Sequence, residues 1–369
     1  MDKLVPRCRE AILEIKPYVP GKPIEEVQRE LGIKDVIKLA SNENPLGPSP
    51  DAVMALREAV EKIYLYPDGN CYYLKEALAA KLGVSPDQLI IGNGIDEILV
   101  MLAEAFVDPG EEIIVADPTF SEYEFAAQVM GGRAVKVPCR DFRHDLEAMA
   151  AALTPRTRLI FVCNPNNPTG TIVERQELDD FLAKVPSHVL VVLDEAYNEY
   201  VTSPAYPDTL AYVRAGRPNI IVLRTFSKIY GLAGLRVGYG VSHPEIIRAL
   251  NKVRGPFNVN FLAQVAAMAA LKDEYHVAKS QEVNTEGKEF LYQQFQALGL
   301  NYVPTEANFI FVDIGRDSRE VFASLLRKGV IVRTGDIFGY PTFLRITIGT
   351  RRQNQRLIEA LREVMAEQP

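Results

Sequence analysis

In Thr225-Phe226-Ser227-Lys228 a lysine follows two hydroxyl side chains, and Arg236 comes eight residues later, beyond a turn rich in glycine and alanine. A lysine so placed can capture a carbonyl carbon covalently, while the hydroxyls and the guanidinium offer donors to an anion such as a phosphate. The preceding run, Ile220-Ile221-Val222-Leu223-Arg224, reads as a buried strand. Lys228 is then expected just past a strand end, where ligands gather in α/β proteins. Taken alone, Ser227-Lys228 is also what a solvated surface loop looks like. The rest of the chain decides between the two.

Val189-Leu190-Val191-Val192-Leu193-Asp194 is a second apolar run ending in a charge. It predicts a central parallel strand buried on both faces. A carboxylate at its end is costly unless it meets a cation, for which a protonated heterocycle nitrogen on a ligand would serve. The alternative is that Asp194 caps a following helix. Tyr197, three residues on, can reach the same ligand. A third run, Arg158 to Phe161, leads into Val162-Cys163-Asn164-Pro165-Asn166-Asn167-Pro168-Thr169-Gly170. Its prolines and asparagines specify a rigid turn that can aim one amide, Asn167, although an ordinary loop remains open as a reading. In a fourth, Leu89 to Gly92, Gly94 opens a helix expected to run to Phe106. The N–H groups of Gly94, Ile95 and Asp96 at that helix start form an anion site. The glycines fall short of the full dinucleotide fingerprint.

Together these segments resemble the fold-type I pyridoxal-phosphate aminotransferases over nearly the whole chain. The resemblance implies pyridoxal 5′-phosphate as cofactor, carried by Lys228. Arg236, Thr225 and Ser227 would bind its phosphate together with Gly94, Ile95 and Asp96. Asn167 and Tyr197 would contact its O3′, and Asp194 would pair with its ring nitrogen. The freed amine of Lys228 would act as the general base of transamination. Within the family the chain resembles the histidinol-phosphate branch most. Lys38 to Pro50, with Asn44 as a substrate contact, looks like that branch's opening signature. In Tyr64-Leu65-Tyr66-Pro67-Asp68, Tyr66 resembles the tyrosine lent to the neighbouring subunit's phosphate site. Pro17-Tyr18-Val19-Pro20 matches the arm whose tyrosine reaches the substrate. In Asp117-Pro118-Thr119-Phe120, Phe120 would stack on the ring; many relatives have tyrosine there, and phenylalanine leaves no hydroxyl for proton transfer. Core packing is the alternative for Phe120 and Tyr66.

Phe343-Leu344-Arg345-Ile346-Thr347 and Val330-Ile331-Val332-Arg333 both read as strands, and alternation turns Arg345 away from Leu344 and Ile346. The planar guanidinium fork suits carboxylate and phosphate. By the resemblance Arg345 holds the anion of each substrate, the carboxylate of glutamate or 2-oxoglutarate and the phosphate of histidinol phosphate. Arg333 is its helper or a structural ion-pair partner. An aromatic or broad-specificity aminotransferase and a threonine-phosphate decarboxylase carry similar motifs and stay open as alternatives.

The remaining features narrow the setting. The 369 residues carry a net charge of −7 and no basic cluster interleaved with aromatics, which argues against nucleic acid as partner. Four scattered cysteines and four histidines show no metal-ligand spacing, so no metal is expected. The charged amino terminus does not read as a signal peptide, and no apolar run approaches a membrane span, so a cytoplasmic protein is expected. Strands alternate with helices from about 88 to 241, and helix signals dominate from 244 to 300, with 281 to 298 the longest amphipathic stretch. The tail from 308 to 366 reads as strand, helix, two strands and a final helix. The expected fold is α/β: a large cofactor-binding domain (45–258) with a mostly parallel sheet flanked by helices, and a small α+β domain. Residues 1–44 form an arm and part of the small domain; residues 259–369 give long connecting helices and the rest of it. The resemblance also implies a homodimer whose sites are completed by both chains.

Overall fold

The computed structural model describes residues 8–13, 15, 17 and 21–367. Seven strands make the central sheet: β1 (Leu89–Gly92), β2 (Glu112–Asp117), β3 (Arg133–Pro138), β4 (Thr157–Cys163), β5 (Leu190–Asp194), β6 (Ile220–Thr225) and β7 (Gly238–Ser242). Their spatial order is β1-β7-β6-β5-β4-β2-β3. β7 runs antiparallel to both neighbours, β1 and β6, and every other pairing is parallel.

The apolar runs explain why the sheet is covered on both sides. Val191, Leu193, Ile220 and Val222 enter one core cluster, while Leu190, Val192, Ile221 and Leu223 enter the other. Burying each such side chain contributes roughly 1.5–3 kcal/mol, enough in sum to offset one polar group held at a strand end. Register sets the ends side by side: Cys163 pairs with Asp194, and Asp194 with Leu223. Asp194 is even with Leu190 and Val192, so it points to the face where Tyr123 is buried.

The second sheet is antiparallel, ordered β10 (Arg333–Thr334), β11 (Phe343–Thr347), β9 (Phe309–Asp313) and β8 (Asn301–Val303). Leu344 and Ile346 pack with Leu291, Leu325, Leu357 and Leu361 of the helices behind it. Two sequence expectations change here. Val330 to Arg333 is not one strand: Val330 and Ile331 pair in parallel with Ile37 and Lys38, whereas Arg333 pairs with Arg345. The chain switches partners at the buried Val332. The long helix spans Glu274–Ala297, starting seven residues before the amphipathic stretch, because the Asp273 side chain caps it by accepting from the His276 N–H.

Candidate active site

A cavity of about 190 Å³ opens where the carboxyl ends of β2, β4, β5 and β6 meet β10, β11 and the segment 40–42. One end is the start of the helix Ile95–Phe106, which begins where the sequence reading put it. Gly94 sits there at φ +80°, and a Cβ built on it would come 2.4 Å from Arg236 Nη2. Only glycine lets the guanidinium lie against this helix start. Arg236 donates to Ser227 Oγ at 3.4 Å and to Asp96 Oδ2 at 2.9 Å, from a backbone held at φ +58°. The Thr225 hydroxyl accepts from the Ser227 N–H at 3.0 Å. Cationic fork, hydroxyls and helix N–H groups thus converge on one spot with the geometry of a phosphate cradle. The Arg236–Asp96 pair is solvent-exposed and worth about 0–1 kcal/mol, so a phosphate can replace it.

Asp194 lies deeper. Tyr123 donates to its Oδ2 at 2.6 Å and the Ala196 N–H to its Oδ1 at 3.1 Å. Burial raises its pKa to about 6 against the pull of those two donors, so the anion lacks a cation. No helix starts directly after Asp194; the next element is the short 3-10 turn Asn198–Tyr200, preceded by Tyr197, so Asp194 is not its cap. A protonated ring nitrogen arriving from the cavity would supply the missing charge. Phe120 lines the same cavity, edge-on to Tyr123 with ring centres 5.6 Å apart.

Lys228 projects into the cavity and donates to the Ser41 carbonyl at 3.2 Å. Burial and the positive charge of Arg345 bring its pKa down to about 8. Its ammonium lies 5.6 Å from the Tyr197 ring centre. Tyr197 is buried, its hydroxyl accepting from Asn42 Nδ2 at 3.0 Å, and burial raises its pKa. Asn167 is aimed by its turn as expected. Gly170, at φ +75°, lies so close to Thr305 that a Cβ would fall 2.0 Å from Thr305 Oγ1. Asn167 Oδ1 accepts from Arg345 at 2.6 Å, and Arg345 also donates to the Ala40 carbonyl at 2.7 Å. Arg345 is buried against the rings of Phe309 and Phe338, and Arg333 is its direct cross-strand neighbour. Both arginines line the cavity. A recess of about 830 Å³ continues from it, sharing Phe120, Asn167, Arg333 and Arg345 and walled by Ile337, Phe338 and Tyr340. Among the described residues no cluster fits a metal ion, and no helix is long and apolar enough to cross a membrane.

Two expected residues lie elsewhere. Asn44 is outside the cavity wall: its amide donates to the Ile229 carbonyl at 2.7 Å and to Ser280 Oγ at 2.8 Å, and its oxygen accepts from the Leu46 N–H. It ties its loop to the turn carrying Ile229 and to the helix Glu274–Ala297, which occupies both of its N–H donors. Tyr66 is 83% exposed and stacks on Phe257, away from this chain's cavity. Tyr18 lies outside the described residues. Conversely, Asn42 and Tyr123 hold site groups that the motif reading passed over. Tyr123 had a signal: a tyrosine in the helix opening just after Phe120.

The fold and this site define a class of protein. The family described as "Aminotransferase class I and II" matches residues 34–361, and the chain belongs to it. The chain is 79% identical to the histidinol-phosphate aminotransferase of Moorella thermoacetica, over 98% of this chain and 94% of that one. It is 51% identical to that of Caldicellulosiruptor saccharolyticus, over 97% and 99%. The crystal structure of histidinol-phosphate aminotransferase from Sinorhizobium meliloti, in complex with pyridoxal-5′-phosphate, superposes with a TM-score of 0.91 at 31% identity, covering 98% of both chains. Within the class, the chain is thus a member of the histidinol-phosphate aminotransferases.

Proposed function

We infer that this chain transfers an amino group between L-histidinol phosphate and 2-oxoglutarate, forming imidazole acetol phosphate and L-glutamate. Pyridoxal 5′-phosphate, when bound, supplies the aldehyde carbon that takes up the amino group and the ring that withdraws electrons from the reacting bond. In this reading Arg236, Ser227, Thr225 and the N–H groups of Ile95 and Asp96 hold its phosphate. Phe120 packs on one face of its ring, and Asp194 keeps its nitrogen protonated. Asn167 and Tyr197 face its O3′. Lys228 anchors it and, once freed, moves the proton between the substrate's Cα and C4′. A pKa near 8 leaves part of that amine neutral near neutral pH, as a base requires.

The observation that carries the substrate assignment is the cross-strand pair Arg333–Arg345 at the cavity. Two guanidinium groups side by side can grip one anion between them. A carboxylate or a phosphate serves, which suits two substrates that share only an anionic group. The recess beside Phe338 and Tyr340 leaves room for an imidazole ring. Two copies of the chain would cover the exposed apolar face formed by Tyr64, Leu65, Tyr66 and Phe257 and bring Tyr66 to the partner's phosphate site.

A steady-state comparison of histidinol phosphate, phenylalanine, tyrosine and threonine phosphate as donors tests the assignment. The expected result is the highest kcat/KM for histidinol phosphate with stoichiometric glutamate. Equal values for phenylalanine would make the chain a broad-specificity aminotransferase. Carbon dioxide release from threonine phosphate without glutamate would make it a lyase.

A further inference from the structure

Asn42 belongs to none of the roles assigned above, yet four hydrogen bonds fasten it to Thr347, Asn308 and Tyr197. Its backbone sits at φ +58°, a left-handed conformation that asparagine tolerates better than most residues. Its carbonyl accepts from Asn308 Nδ2 at 3.0 Å, and its N–H donates to Thr347 Oγ1 at 2.9 Å. Thr347 in turn donates its hydroxyl proton to Asn42 Oδ1 at 3.1 Å. The Thr347 oxygen already accepts from the Asn42 backbone N–H, and its own proton finds its acceptor in Oδ1, which orients the amide. The NH2 group is left pointing at Tyr197, to whose hydroxyl oxygen it donates at 3.0 Å.

A phenol oxygen that accepts a hydrogen bond must send its own proton in another direction. Tyr197 is buried and lines the cavity, so whatever occupies the cavity is the acceptor open to that proton. The bonds form a directed chain: Thr347 O–H to Asn42 C=O, Asn42 N–H to Tyr197 O–H, Tyr197 O–H to the cavity. Such chains strengthen each successive donor. The chain also crosses between the two sheets. Thr347 lies two residues from Arg345 on β11, and Tyr197 follows β5.

We propose that Asn42 is a positioning residue that turns the Tyr197 hydroxyl proton into the cavity and, through Thr347, makes that orientation depend on the placement of the strand carrying Arg345. The proposal rests on the reading that Tyr197 faces O3′ of the cofactor. In the holoenzyme it makes Tyr197 a hydrogen-bond donor to the ring oxygen, favouring that oxygen's anionic form. The small sheet is then required for this bond even though none of its residues need touch the ring there.

The test uses Asn42→Asp, which keeps shape and the tolerance of positive φ but replaces the donor with an acceptor. The carboxylate then takes the phenol's proton and turns it away from the cavity. Two readouts are taken with purified protein: the dissociation constant for pyridoxal 5′-phosphate, and the pH midpoint of the bound cofactor's visible absorbance. Asn42→Asp should weaken binding on the order of tenfold, the size of one lost hydrogen bond, and move the midpoint to higher pH. Thr347→Val should shift both readouts in the same direction, and Thr347→Ser, which restores the hydroxyl, should bring them back. If Asn42→Asp does not fold, the Thr347 pair carries the test alone.

Tyr197→Phe separates the proposal from the reading beneath it. Its effect should match that of Asn42→Asp, and the double variant should be no worse than Tyr197→Phe. Silence of Tyr197→Phe itself would mean that the phenol does not face the cofactor, and both ideas fall. A clear effect of Tyr197→Phe with none from Asn42→Asp or Thr347→Val would overturn the relay alone. Additive losses in the double variant would do the same.

Discussion

Gly94→Ala isolates the phosphate cradle from the rest of the fold. The new methyl would lie 2.4 Å from Arg236 Nη2 and 3.1 Å from Cζ, so the guanidinium must swing out. Arginine has the freedom to do so, and the chain can still fold. What remains is backbone strain: φ +80° with ψ 174° is a conformation essentially confined to glycine, costing about 1–3 kcal/mol for a residue with a Cβ. Gly216 provides a control for positive φ alone, with φ +78° and nothing within 4 Å of its added Cβ. Both alanine variants should therefore lose stability, read as the melting temperature of cofactor-free protein. Only Gly94→Ala should lose the charge-assisted contact of Arg236 to the phosphate, about 1.5–3 kcal/mol, or roughly ten- to hundredfold in Kd. Absorbance titration with pyridoxal 5′-phosphate measures this directly. If Gly94→Ala binds the cofactor as tightly as Gly216→Ala, Arg236 does not hold the phosphate and the cradle has been misread.

Other consequences are as direct. Folded Lys228 titrates at about 8 against 10.5 for an ordinary lysine, so between those pH values the unfolded chain binds more protons than the folded one. The stability of cofactor-free protein should gain from this residue as pH rises through that window, and Lys228→Met should remove the gain; parallel denaturation curves for the two proteins would refute it. Asp194 is shifted the other way, from 3.8 to about 6, so its contribution to stability falls as pH rises across that interval. Asp194→Asn should flatten that fall and, with no charge to hold the ring nitrogen protonated, cut turnover by on the order of a hundredfold; near-normal kcat would leave the carboxylate without its role. Arg333→Ala should slow the histidinol phosphate half-reaction more than the glutamate one, followed separately by stopped-flow absorbance. Equal losses would take Arg333 out of substrate choice.

The parts of the site that were legible in the sequence are those that sit at strand ends. Lys228, Asp194 and Asn167 each follow an apolar run, and the parallel register brings such ends together. The helix start at Gly94 was legible as an element, but a glycine there fits any strand-to-helix turn, and only the approach of Arg236 marks it as a cradle. Partners fixed by tertiary contact were harder. Asn42 and Asn44 are two residues apart in the same signature, and nothing local tells which faces the cavity. The left-handed turn at Asn42 sends its amide to Tyr197, while Asn44 is drawn to Ile229 and Ser280. Tyr123 reaches Asp194 across 71 residues of chain, a pairing no periodicity encodes. The strand at Val330 divides because residues 37 and 38 claim its first half, a long-range event invisible from Val330-Ile331-Val332-Arg333 itself.

Arg345 reaches back to the Ala40 carbonyl, and Thr347 to Asn42, across 305 positions of sequence. The first strand of the described chain likewise pairs with Val330 and Ile331. Until the last strand of the second sheet exists, the amino-terminal wall of the cavity has only its contacts to Tyr197, Lys228 and Asn308 and lacks those to Arg345 and Thr347. During synthesis the seven-stranded sheet can form while the ribosome is still adding the tail, as domains generally do. The cavity cannot. A chain released before Phe343 keeps Lys228 and the phosphate cradle but loses the bonds that Arg345 and Thr347 make to Ala40 and Asn42. A truncated product can thus be folded over most of its length and still lack the Arg345 wall of the cavity.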